Sequence, residues 1–198
     1  HDIASRLEDR LTAEEILERE IPELCARLGV TWLESESLLL GPAGRKVAIC
    51  GGLGPISTHS GIPGVSGWNR SHIQVPGGPH HYDRQILELE ERLLSAFATR
   101  LEALDANPEV EAVIVALHVP PFLPLRGATR YWEPAISRSR KTVLTCFGDV
   151  HGDHPEWSGF RVGGRPLLAT MSAPGRIASV FLELEHDRPP GAGPRWLG

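Results

Sequence analysis

The chain has 198 residues, of which 41% are hydrophobic and 23% charged, and this composition is typical of a globular protein with a sizeable core. A formal net charge of −5 argues against a non-specific binder of nucleic acids or of membrane surfaces. No stretch reaches the length of a membrane-spanning helix and no signal peptide is visible, so we expect a cytoplasmic protein without membrane partners. The abrupt start at His1 leaves room for an upstream segment.

The first part of the chain predicts one helix. Apolar residues recur at helical spacing over Ala13–Leu28, and Thr12 with Glu15 forms a capping box at the start. Pro22 predicts a kink or a restart within this helix, and Gly29 is expected to end it. Short strands are expected next, near Val30–Leu33, Ser37–Leu40 and Lys46–Cys50.

A long segment rich in glycine and proline, Gly51–His81, follows these strands. It has no periodicity but carries four histidines: His59, His72, His80 and His81. A loop of this length predicts either a lid that contacts the substrate, through a histidine or Trp68, or a surface insertion. Its first residues, Gly51–Gly54, do not have the spacing of a phosphate-binding turn, and no helix start follows them.

The pattern over Tyr82–Leu104 predicts a long amphipathic helix. Its apolar stripe consists of Ile86, Leu89, Leu93, Phe97, Leu101 and Leu104. We expect the acidic residues between them to form a solvated face; these are Glu88, Glu90 and Glu91.

The strand on which the other elements are organised is predicted at Glu111–Leu117, because a run of β-branched and aliphatic residues indicates burial on both faces. His118 ends this strand, and Pro120 with Pro121 prevents its continuation. Ligands bind at the carboxyl edge of open α/β sheets, which makes His118 a candidate site residue. Alternatively, His118 only caps a carbonyl group.

A second buried strand is predicted at Thr142–Phe147, after a short helix near Tyr131–Ser139. Asp149 and His151 follow the strand directly, flanked by glycines. Two strands that each end in imidazole or carboxylate groups are the arrangement that a metal centre needs.

The remaining segment, from Phe160 to Glu185, alternates as strands around Gly163 and Gly164. We expect residues 1–187 to form one domain and 188–198 a Pro/Gly-rich tail that is either ordered by contact or disordered. The cysteines are odd in number, far apart and in apolar settings, which predicts buried reduced thiols; they are Cys25, Cys50 and Cys146.

The two strand-end motifs together resemble the later motifs of the calcineurin-like metallophosphoesterases. His118-Val119-Pro120-Pro121 is similar to the H-x-P-P turn of that family. Gly148-Asp149-Val150-His151 is similar to its G-H-x-H motif, with Asp149 in place of the first histidine. His1-Asp2 resembles the end of its G-N-H-[DE] motif. The resemblance implies an α/β fold, a layered β-sandwich flanked by helices, of which this chain represents the later half.

The resemblance also implies a metal-dependent hydrolysis of a phosphomonoester or phosphodiester, in which two divalent cations (Mn, Fe or Zn) activate a water. His118 would ligate one ion and His151 the other, with Asp149 as a further ligand. His1 would assist the transition state or the leaving group, with Asp2 as its orienting partner. The substrate-binding candidates are Arg126, His80 and His81.

The chain departs from the family in its early motifs. No D-x-H and no G-D-x-x-D stands before His118, and no asparagine precedes His1. We therefore expect the missing motifs in an upstream segment or a second chain. Two alternatives stay open: a metal-free or single-metal descendant that binds rather than cleaves, and an unrelated α/β binding module in which His118 and His151 are structural. Nucleotides, phospholipid head groups, phosphoproteins and nucleic acids all remain possible substrates.

Overall fold

The computed structural model of the chain describes residues 15–55, 79–119, 121, 132–147, 161–162, 165–169, 182–183 and 195–196. For 79–87 and for the segments from 161 onward it describes the backbone only. Within these residues the chain is a mixed α/β structure, as the sequence predicts. None of the described helices is long and apolar enough to cross a lipid bilayer.

A π-helical turn, Ile16–Glu20, opens the described chain and leads into helix α1, Ile21–Leu28. Pro22 lies in the first turn of α1, but the backbone is helical without a break from residue 15 to 28. The predicted kink or restart at Pro22 lies next to the change from π-helical to α-helical structure between Glu20 and Ile21. Gly29 ends the helix in the left-handed region, with φ +66°, which a glycine adopts without strain. The predicted cap at Thr12 lies outside the described residues.

The main sheet has six strands in the order β1-β2-β3-β4-β6-β5. The central strands β2, β3, β4 and β6 are parallel, while β1 and β5 pair antiparallel at the two sides. The strands are β1 (Leu38–Leu40), β2 (Lys46–Gly52), β3 (Val110–Leu117), β4 (Thr142–Phe147), β5 (Arg161–Val162) and β6 (Arg165–Ala169). A separate antiparallel pair joins β7 (Leu182–Glu183) to β8 (Arg195–Trp196), which falls within the predicted tail.

The prediction of a strand at Val30–Leu33 is wrong. Residues 33–35 form a turn in which the amide of Ser35 donates to the carbonyl of Trp32 at 3.1 Å, and the Ser35 hydroxyl donates to the same oxygen at 3.1 Å. Serine side chains stabilise such local turns by competing with the extended hydrogen-bond pattern. Strand β2 continues through Gly52, two residues beyond its predicted end.

Helix α2 spans Pro79–Ala106, so it begins three residues before the predicted start at Tyr82. His80 and His81 therefore belong to its first turn and not to the preceding loop. The described part of the predicted stripe is buried: Leu89, Leu93, Phe97, Leu101 and Leu104. The expectation of a fully solvated acidic face is wrong for Glu90, which is only 5% exposed, because the helix is covered over more than the apolar stripe.

The core lies between the sheet and the helices α2 and α3 (Trp132–Arg138). Phe97 of α2 and Trp132 of α3 pack with ring centroids 5.1 Å apart, and both side chains are fully buried. All three thiols are free, but only Cys50 is buried; Cys25 and Cys146 are half-buried. Burial raises the pKa of Cys146 to about 11, which keeps this thiol protonated at neutral pH.

Candidate functional site at the carboxyl edge of the sheet

His118 lies at the carboxyl edge of the parallel strands, directly after β3, and is exposed. Its backbone N–H donates to the carbonyl of Gly52 at 3.0 Å, and that of Val119 donates to the carbonyl of Leu53 at 2.8 Å. These bonds extend the β2–β3 pairing past the end of β3, so the backbone that carries His118 is held against the end of β2. An exposed imidazole on such a backbone can bind a metal or accept a proton.

Strands β3 and β4 end together, because Leu117 pairs in parallel register with Phe147. On the other side of β3, Leu117 pairs with Gly52. The three strands β2, β3 and β4 therefore deliver their following residues to one edge. In the sequence, Asp149 and His151 follow the end of β4 by two and four positions.

The other predicted site residues are not described at the side-chain level. Asp149, His151, His1, Asp2 and Arg126 lie outside the described residues, and so does most of the predicted lid, including Trp68. His80 and His81 are described as helical backbone only. Within the part of the chain that the structure describes, no three His, Cys, Asp or Glu side chains are grouped to hold a metal ion. The convergence of His118 with the two residues after β4 stays a prediction.

Sequence reasoning missed two charged residues at the same edge, the buried Glu34 and the half-buried Arg100. Glu34 is only 7% exposed, and its Oε2 accepts a hydrogen bond from the N–H of Leu53 at 2.5 Å. The guanidinium of Arg100 donates to three backbone carbonyls: Glu34, Leu33 at 3.1 Å and Gly51 at 2.9 Å. No periodicity marks Glu34, because its surroundings have the composition of an ordinary polar turn.

The electrostatics of Glu34 are dominated by burial. Burial raises the pKa of the Glu34 carboxyl above its ordinary value, and the Leu53 N–H and the Arg100 charge oppose this shift. Glu34 Oε1 and Arg100 Nε have no hydrogen-bond partner among the described residues. A buried polar group of this kind is costly, so its retention calls for a structural or functional reason.

The segment Gly51–Gly54, which we term the glycine strip, is closely packed at its three glycines. A Cβ on Gly51 would collide with the backbone of Ala116, and one on Gly52 would collide with the carboxylate of Glu34. Gly54 has φ +78°, and a Cβ there would lie 2.7 Å from the carbonyl oxygen of Val119. The glycines thus allow close approach of neighbouring backbone and of Glu34, which accounts for them without a phosphate-binding turn.

The amino edge of the same strands is built from ion pairs. Arg45 contacts Glu111 through two hydrogen bonds of 3.0 and 3.1 Å, and Lys46 pairs with Glu109 at 2.6 Å. Asp105, at the end of α2, accepts hydrogen bonds from the Ser139 hydroxyl and from the amides of 140 and 141. These groups join elements to one another. Within the described residues, the candidate functional site is therefore the opposite edge, with His118 and the glycine strip.

Comparisons of the chain with protein-family models, with curated proteins and with solved structures give no match. The case for a function therefore depends on the chemistry of the residues and on the topology of the sheet.

Proposed function

We propose that this chain supplies the later ligand motifs of a metal-dependent phosphoesterase that resembles the calcineurin-like family. In this proposal His118 ligates one divalent cation and His151 the other, with Asp149 as a carboxylate ligand. Imidazole and carboxylate groups together suit Mn, Fe or Zn. When bound, such a pair of ions lowers the pKa of a bridging water and stabilises the charge that develops on the phosphoryl oxygens.

One observation carries the proposal: β3 and β4 are adjacent, parallel and in register at Leu117 and Phe147. Both strands are followed by metal-binding side chains, and a parallel register makes both chain segments leave the sheet at the same edge. Had the strands been antiparallel, His118 and the residues after Phe147 would leave at opposite edges. The finer fold, a layered β-sandwich represented by its later half, belongs to the same proposal.

The roles of the remaining candidates follow from the resemblance. His1 would assist the leaving group with Asp2 as its partner, and Arg126 with His80 and His81 would bind the phosphoester. An upstream segment or a second chain would supply the D-x-H and G-D-x-x-D motifs, which do not stand before His118 in this sequence. The chain alone would then bind metal weakly and hydrolyse a generic phosphodiester slowly or not at all.

The test is hydrolysis of bis(p-nitrophenyl) phosphate in the presence of Mn²⁺, Fe²⁺ or Zn²⁺. The protein tested is this chain joined to a segment that carries the two missing motifs. The variants are His118→Ala and His151→Ala. We expect turnover that either variant abolishes, while Glu111→Gln at the amino edge leaves it unchanged. Equal turnover by the wild type and both alanine variants would show the proposal to be wrong.

A second candidate is a catalytically impaired relative that binds phosphoesters without cleaving them. One feature of the sequence favours it: Asp149 stands where the family has a histidine. A carboxylate adds negative charge and reaches less far than an imidazole. Binding of the phosphodiester without turnover in the joined protein, lost in His118→Ala, would support this candidate over the enzyme.

A further inference from the structure

We infer that Glu34 and Arg100 are positioning residues for His118, acting through the glycine strip. The inference deepens the proposed function, on which it rests for the role of His118. Neither residue is assigned a contact with substrate or metal. Their action is to fix the backbone against which the end of β3 is hydrogen bonded.

The first step is that Glu34 and Arg100 hold the glycine strip from one side. Arg100 donates to the carbonyl of Gly51, and Glu34 accepts from the amide of Leu53. Gly51 and Leu53 flank Gly52. The carbonyl before this glycine and the amide after it are therefore held by side chains of opposite charge. Arg100 also holds the turn that carries Glu34, through the carbonyls of Leu33 and Glu34 itself.

The second step is that the same strip holds His118 from the other side. The carbonyl of Gly52 accepts from the amide of His118, and the carbonyl of Leu53 accepts from the amide of Val119. A chain of contacts therefore runs from the Glu34 carboxylate through the Gly52–Leu53 peptide unit to the amide of His118.

The third step is that ordinary stability does not account for the arrangement. Glu34 is a buried charged group and Arg100 is half-buried beside it. Replacing a buried charged group together with its partner by apolar residues of similar volume is often neutral or stabilising. Here two polar atoms of the pair lack partners among the described residues, and Gly52 must lack a side chain to make room for the carboxylate. These unpaired atoms and the close contact at Gly52 lower the stability of the fold, and they lie at the edge that carries His118. A role in orienting that edge accounts for their presence.

The experiment measures amide hydrogen exchange at the carboxyl edge and at the amino edge. It compares the wild type with Glu34→Ala and with Asp105→Ala. The reporters at the carboxyl edge are the amides of His118 and Val119, and the reporters at the amino edge are those of Lys46 and Val113, which donate to the carbonyls of Glu109 and Lys141. Glu34→Ala removes a charged hydrogen bond next to His118. We therefore expect it to raise the ratio of the exchange rate at the carboxyl edge to that at the amino edge roughly tenfold. Asp105→Ala is the matched control, and we expect it not to raise that ratio.

Rescue distinguishes positioning from general loss of stability. Glu34→Gln keeps an oxygen that can accept from the Leu53 amide, so most of the protection at His118 and Val119 should return. If Glu34→Ala does not fold, Arg100→Lys makes the same comparison, because a single ammonium cannot reproduce the fork that holds three carbonyls. Equal acceleration at both edges, or none, in the folded variant would overturn the inference.

A titration with Mn²⁺ connects the inference to the proposed function. We expect Glu34→Ala to weaken Mn²⁺ binding several-fold and Asp105→Ala to leave it unchanged. If the joined wild-type protein binds no Mn²⁺, the proposed function fails, while the exchange ratio still decides whether Glu34 positions His118. Unchanged Mn²⁺ affinity in Glu34→Ala, with wild-type binding intact, would contradict the positioning role.

Discussion

At the scale of single residues, Glu34 is the most informative side chain of the described structure. It is buried, and its carboxyl contacts the amide of Leu53 while Arg100 holds the carbonyls around it. The raised pKa of Glu34 shows that the cost of burying its charge exceeds the stabilisation from the Leu53 amide and from Arg100. This balance makes the stability of the fold depend on the protonation of one residue.

The first prediction concerns pH. The folded-state pKa of Glu34 lies above its ordinary value of 4.5, so folding favours the protonated side chain. The stability that Glu34 contributes is therefore full below pH 4.5 and is lost as the pH rises through the folded-state pKa. The glutamine of Glu34→Gln does not titrate in this pH range. The free energy of unfolding of the variant should therefore increase relative to that of the wild type as the pH rises. Urea unfolding of both proteins over a pH series measures this difference, and a pH-independent difference would contradict it.

The second prediction concerns Gly52, where an added methyl group would collide with the Glu34 carboxylate. We expect Gly52→Ala to lower the free energy of unfolding by about 1–3 kcal/mol, as overpacking does in other cores. In a Glu34→Ala background the same substitution should cost clearly less, because the carboxylate with which the methyl group collides is removed. A double-mutant cycle by urea unfolding measures this coupling, and purely additive effects would show that the two residues do not interact.

At the scale of the elements, the parallel strands have two chemically different edges. Ion pairs and Asp105 hold the amino edge, where α2 and α3 lead into strands β3 and β4. The carboxyl edge is held by backbone hydrogen bonds from the glycine strip, by the buried Glu34 and by the half-buried Arg100. This separation allows one edge to be altered while the other serves as a control.

The third prediction tests the amino edge through Asp105. Because Asp105 accepts from Ser139 and from two backbone amides, Asp105→Ala should lower the free energy of unfolding by roughly 2 kcal/mol. Glu111→Gln, at a pair whose side chains are 30% and 37% exposed, should cost less than about 1 kcal/mol. Urea unfolding compares the two variants, and an equal cost would mean that Asp105 is no more than a surface charge.

The elements show what the sequence predicts and where it stops. Apolar runs such as Thr142–Phe147 define strands, and the stripe of α2 defines its buried side, because burial alone determines these patterns. The turn at residues 33–35 is not predicted, since Trp32 and Leu33 are residue types that are typical of a strand. In the structure, Ser35 donates to the carbonyl of Trp32 and Arg100 donates to that of Leu33. The role of Glu34 is equally hidden, because its partners Leu53 and Arg100 are 19 and 66 residues away.

At the scale of the whole molecule, the four parallel strands of the main sheet bring distant segments to one edge. The sequence predicts that His118 ends a buried strand, and the structure bears this out. It cannot predict which strands are neighbours, and the adjacency of β3 and β4 is what makes a shared site with Asp149 and His151 geometrically reasonable. The central claim is that these residues together hold two divalent cations in one metal centre.

The measurement that tests this claim most directly is a titration of the ¹³C/¹⁵N-histidine-labelled chain with Mn²⁺, followed by NMR of the imidazole resonances. Paramagnetic broadening detects weak binding, so it does not depend on turnover. We predict that the resonances of His118 and His151 broaden together at the lowest Mn²⁺ concentrations, and that His118→Ala weakens the broadening of His151. Broadening of neither imidazole, or broadening of His151 that is the same in His118→Ala, would contradict a shared metal site.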